Sequence, residues 1–123
     1  MSDRFALRSL YIEGWYELDI TKLLAATAKD FIFDDPREPL PVNRNSLGKY
    51  MHDWVHTTRV LGSTSDWTLA NEVRQDNDGV LIDWEWWELD NTPLCGMAFV
   101  KTRDDGVFME KITYFDRAVY SNR

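Results

Sequence analysis

The residues best placed to do chemistry are Asp34 and Asp35, adjacent carboxylates in the run Asp30-Phe31-Ile32-Phe33-Asp34-Asp35-Pro36. Phe31 and Phe33 alternate with Ile32 as in a half-buried strand, and Pro36 closes that strand because it has no N–H to give a ladder. If the alternation continues, the two carboxylates face opposite sides of the sheet and one enters the apolar interior. A carboxylate there has a raised proton affinity and serves as a general base or acid. The competing reading caps the proline loop with both, or pairs them with Arg37 or Arg44 at the surface.

Three other groups invite a chemical reading. His52 and His56 lie four residues apart in His52-Asp53-Trp54-Val55-His56, the spacing of zinc-binding helices. Asp53 stands where those helices carry Glu, no third ligand is evident, and both imidazoles lie about 160–200° around a helix from Trp54. They are therefore expected to face solvent or a partner subunit, and no metal is expected. Trp84 and Trp86 alternate with Val80 and Ile82 and read as core or pocket wall. Trp87 shares the other face with Asp83 and Glu85 and reads as an exposed interface ring. On the last strand Glu110, Ile112, Tyr114 and Asp116 share one face, and a one-residue slip decides which face is concave. Asp116 is a site candidate there, or a surface carboxylate near Arg117.

The elements that must hold these residues follow from periodicity. Residues 3–17 read as a helix with Leu7, Leu10, Tyr11, Gly14 and Leu18 on one side and Phe5, Ile12 and Tyr16 on the other. Asp19 is a cap for a short helix over 20–28. Three of the four prolines fall in the loop 36–41. A third helix over 46–61 then presents Leu47, Tyr50, Met51, Trp54, Thr58 and Leu61 on one side. From Trp67 the period becomes two, with turns at 76–79, 90–93 and 104–106 separating four antiparallel strands. Helices first and a sheet second gives an α+β domain with helices on one face.

Bulk properties narrow the function. The 123 residues suffice for one domain around one core. A net charge of −7 without a basic cluster argues against a nucleic-acid surface. Cys95 is the single cysteine, so no disulfide framework or cysteine metal site is expected. The opening residues MSDRFALRSL lack a long apolar stretch and no run is apolar enough to span a bilayer, so a cytoplasmic protein is expected. Aromatic residues make up 14% of the chain, enough to line a cavity or form a dimer face.

The order helix, short helix, strand ending in Asp35-Pro36, helix and four antiparallel strands resembles the nuclear transport factor 2-like superfamily across nearly the whole chain. That superfamily is a cone-shaped α+β fold, a curved sheet wrapped around about three helices. It includes ketosteroid isomerases and SnoaL-like polyketide cyclases. The Tyr114-Phe115-Asp116 ending is similar to that of SnoaL-like proteins. The resemblance implies Asp35 as the proton-shuttling base and Tyr11, on the first helix, as the oxyanion donor. It also implies a second acid donor on a later strand, yet 92–103 contains no carboxylate. Steroid isomerisation by the known pattern is not expected, while a related proton transfer is.

The resulting expectation is a cofactor-free enzyme acting on a small apolar or polyketide-like compound by isomerase, cyclase or lyase chemistry. Trp15, Trp54, Trp84, Trp86 and Asp116 would bind the substrate, and a homodimer would form through the outer sheet face around Trp87. The alternative is a non-catalytic ligand-binding or dimerisation module. A metal-dependent hydrolase through His52 and His56 is a third reading.

Overall fold

A computed structural model describes residues 3–60 and 67–116. Helix α1 (Arg4–Glu17) starts where the Asp3 carboxylate accepts from the Ala6 N–H at 2.8 Å, and it ends at Leu18, which takes a left-handed conformation. Asp19 caps α2 (Ile20–Ala26) by accepting from the Thr21 and Lys22 amides. Strand β1 (Thr27–Asp34) follows without a break, and helix α3 (Leu47–Val60) begins after the proline loop, where Asn43 and Ser46 exchange hydrogen bonds. The remaining chain forms β2 (Trp67–Asn77), β3 (Val80–Leu89), β4 (Leu94–Arg103) and β5 (Gly106–Asp116). The expected end of the third helix at Leu61 lies outside the described residues.

The four C-terminal strands form the expected meander, and β1 adds to its far edge parallel to β5, giving the order β1-β5-β4-β3-β2. The parallel pairing allows the Asp-Pro end of β1 to lie beside the last strand. Register shifts in β1, in β2 and at Phe108 of β5 bend the sheet. The result is an α+β fold in which one sheet face carries the helices and the core. Two glycines permit close approaches. A Cβ on Gly106, at φ 134°, would lie 2.6 Å from the Ala28 amide nitrogen, where β1 meets β5. At Gly96 it would lie 2.2 Å from the Thr113 carbonyl and 2.4 Å from the Trp87 ring.

Strand β3 corrects the expected faces. Its buried residues are Leu81, Asp83, Glu85, Trp87 and Leu89, so Trp84 and Trp86 point to the opposite side. There Trp84 packs on Phe99 and Trp86 stacks on Phe115. The physical reason is ionic. Arg8, buried on α1, donates to Asp83 at 3.0 Å and pairs with Glu85, and Arg74 from β2 holds Asp83 at 2.6 Å. With these partners the inner face accepts two carboxylates that would otherwise be costly to desolvate.

Candidate functional site

The helices and the concave sheet face enclose a cavity of about 70 Å³. It is mostly apolar, walled by Trp15, Phe33, Trp54, Trp87, Val100 and Ile112 among others, with Arg8, Tyr11, Tyr50, Glu85 and Glu110 as its polar groups. Trp15 and Trp54 both stand in its wall. Trp84 and Trp86 do not line the cavity, because β3 turns them outward, whereas Trp87, expected outside, is only 5% exposed and forms part of the wall. Asp116 is exposed at the end of β5, away from the lining.

Tyr11 reaches this cavity from α1, one turn beyond Arg8, and its hydroxyl donates to Glu110 Oε1 at 2.5 Å. Glu110 comes from the inner face of β5, shared with Ile112 and Tyr114 as the alternation predicts, and is 7% exposed. Burial pushes its carboxyl up to about 7. The Tyr11 hydrogen bond and the Arg8 charge act against that rise, and the Asp35 charge adds to it. Tyr11 is itself driven well above the ordinary phenol value by burial and then by the Glu110 charge, while Trp15 and Arg8 pull the other way. Glu110 is therefore close to half-protonated at neutral pH, and Tyr11 remains a neutral donor.

Asp35 also turns inward, continuing the alternation of Phe31 and Phe33, and is 2% exposed. Asp34 faces the other side, with Lys111 at 3.7 Å. The Asp35 carboxylate accepts from Tyr50 at 2.6 Å, Tyr114 at 2.7 Å, the Arg37 amide at 2.8 Å and the Arg37 guanidinium at 3.0 Å. Burial alone would raise its pKa, but the bonds from Arg37, Tyr114 and Tyr50 outweigh that and hold it below the usual carboxylate value. This reverses the raised proton affinity expected from sequence. Asp35 also lies outside the cavity lining, separated from it by Tyr50. Arg37 lies over the Trp54 and Tyr114 rings at 5.3 and 4.9 Å and closes the cluster.

The structure therefore brings Tyr11, Trp15 and Trp54 together and places Asp35 beside their cavity rather than within it. Sequence reasoning missed Glu110 and Arg8 as site residues. The pairing of Arg8 with Tyr11 one helical turn apart, and of Asp83 with Glu85 two residues apart, was the available signal for matching charges on facing elements. His52 and His56 are both exposed on α3, and no group of His, Cys, Asp or Glu among the described residues is arranged to hold a metal. No described helix is long and apolar enough to cross a membrane.

No protein-family model matches the sequence, and no curated protein matches it. Solved structures do match in shape. A cystatin-like fold protein from Burkholderia xenovorans is similar with a TM-score of 0.66 at 14% identity, covering 90% of this chain and 88% of that one. A candidate ketosteroid isomerase from Parabacteroides distasonis is similar with a TM-score of 0.64 at 14% identity, covering 87% and 83%. A candidate SnoaL-like polyketide cyclase from Shewanella denitrificans is similar with a TM-score of 0.62 at 13% identity, covering 97% and 94%. At these identities the likeness is one of fold, and the chain has the cystatin-like, nuclear transport factor 2-like α+β fold.

Proposed function

We propose that the chain is a cofactor-free enzyme that moves a proton on a small, mostly apolar carbonyl compound, with Glu110 as the proton carrier. The observation that carries this reading is the Tyr11–Glu110 pair, which lies inside an aromatic cavity and has a carboxyl pKa pushed up to about 7. A base with that affinity is populated at neutral pH and still strong enough to accept a carbon-bound proton in a dry site. Asp35, which the resemblance would make the base, is held as a carboxylate by four donors and serves here to fix Tyr50 and Tyr114. The cavity walls are mostly apolar, so the substrate is a largely apolar small molecule with few polar groups.

The outer sheet face supports a second copy of the chain as partner. Trp84 and Phe99 form a tilted aromatic pair there and Trp86 and Phe115 a stacked one, beside the exposed Met97. A half-exposed aromatic patch of this kind is characteristic of an association surface.

The enzymatic reading is tested by incubating the protein in D2O with a panel of small cyclic ketones and following loss of the α-proton signals by NMR. Exchange by the wild type that falls by about 10²–10⁴-fold in Glu110→Gln supports it, the range expected for general base catalysis. Undiminished exchange in that variant removes Glu110 from the role. Ligand binding without exchange in either protein favours the non-catalytic binding module.

A further inference from the structure

The hydroxyl protons around the cavity are already committed. Tyr11 donates to Glu110, and Tyr50 and Tyr114 donate to Asp35. Arg8 is engaged by Asp83 and Glu85. A proton abstraction next to a carbonyl leaves negative charge on oxygen, and that charge needs a donor which is not already in use. One deeply buried donor in the cavity wall has no hydrogen-bond partner among the described residues, the indole nitrogen of Trp87, whereas the Trp15 indole is engaged with the Tyr11 hydroxyl.

Trp87 comes from the inner face of β3, opposite α1 and its Tyr11. Trp87 is fixed in place. Its ring packs edge-on against Trp54 and Tyr114, and the Cε2 atom bonded to its nitrogen lies against Gly96, where a Cβ would come within 2.7 Å. A buried N–H left without a partner is costly, and one held in the wall of an apolar cavity indicates a ligand acceptor that satisfies it.

Building on the proton-transfer reading, we propose that Trp87 Nε1 forms the oxyanion-binding site, and that the ligand is a small cyclic carbonyl compound whose oxygen accepts from the indole. Glu110 takes the proton from the carbon beside the carbonyl. The C–H electron pair becomes the enolate double bond, and the carbonyl π pair moves to the oxygen, where the Trp87 N–H stabilises it. The protonated Glu110 then returns its proton to the same or a conjugated carbon, so no oxidant, reductant or cofactor enters. The indole N–H thereby takes the place of the carboxylic acid donor that residues 92–103 lack.

The test uses para-nitrophenol, whose phenolate mimics the enolate oxygen and is read by absorbance, with para-nitrotoluene as an apolar control of similar size. Wild type is expected to bind the phenolate, and the Trp87 indole N–H proton resonance is expected to move downfield on binding. Trp87→Phe is expected to weaken phenolate binding about tenfold or more, with para-nitrotoluene affinity changed less than twofold. Replacement of Trp87 by benzothienylalanine, which keeps the ring shape and removes the N–H, is expected to match the phenylalanine variant. No phenolate binding by wild type, an unmoved indole resonance, or equal losses for both probes overturns the proposal. Phenolate binding that depends on Trp87 while no ketone exchanges its α-protons leaves the anion site standing and refutes the catalytic reading. Ketone exchange with Trp87-independent phenolate binding does the reverse.

Discussion

Two buried carboxylates within one small fold have opposite proton affinities because their partners differ. Asp35 accepts from a guanidinium, a backbone amide and two phenols, whereas Glu110 has one phenol at 2.5 Å. Burial penalises both, and only at Asp35 do the donors outweigh it. The pH consequences have opposite signs. Because the Glu110 value is raised in the folded state, its contribution to stability is fully present below about 4.5 and is lost as pH rises through about 7. The basic form that accepts a proton appears over the same interval, so ketone exchange should rise with pH through about 7 and then level off. A flat rate profile across that interval counts against Glu110. The Asp35 value is depressed, so its contribution is present above the ordinary carboxylate range and is lost as pH falls through the folded value. Asp35→Asn should cost about 1.5–3 kcal/mol near neutral pH, the range for hydrogen bonds to a charged group. Urea denaturation is expected to show that cost shrinking toward acid pH, and a cost independent of pH would contradict the assignment.

The helices, the strands and the Asp19 cap were legible in the sequence, because Asp19, Pro36, the aspartate–glycine turns and the hydrophobic periods are local signals, whereas the Asp3 cap emerged from the structure. That one of Asp34 and Asp35 turns inward was also legible from the alternation of Phe31 and Phe33, and the structure shows that it is Asp35. The faces of β3 were not. Judged by apolarity, Val80, Ile82, Trp84 and Trp86 belong inside, and only the tertiary pairing of Asp83 and Glu85 with Arg8 reverses that order. The parallel joining of β1 to β5, which brings Tyr114 to Asp35 across 79 positions of sequence, is likewise a non-local fact. The tie between α1 and β3 is open to direct trial. Arg8→Met removes the cation and leaves two carboxylates buried, which should destabilise the fold by about 3–5 kcal/mol. A loss under 1 kcal/mol in chemical denaturation would show that Asp83 and Glu85 do not depend on Arg8.

At the level of assembly, the inverted β3 changes which rings are available to a partner. Trp87 is enclosed, and Trp84 and Trp86 join Phe99, Phe115 and Met97 on the outside of the sheet. If a second copy covers that face, Trp86→Glu should convert the protein from twice its chain mass to the 14.5 kDa monomer in sedimentation. Sedimentation of both proteins at 14.5 kDa would reject the dimer. The sheet has two aromatic surfaces, an outer one proposed for association and an inner one around the cavity that holds Glu110. The account of that cavity is tested most directly by a carbon-13 NMR titration of the Glu110 side-chain carboxyl in the wild-type protein. It predicts an inflection near 7. An inflection in the ordinary glutamate range, about 4.3, would contradict it.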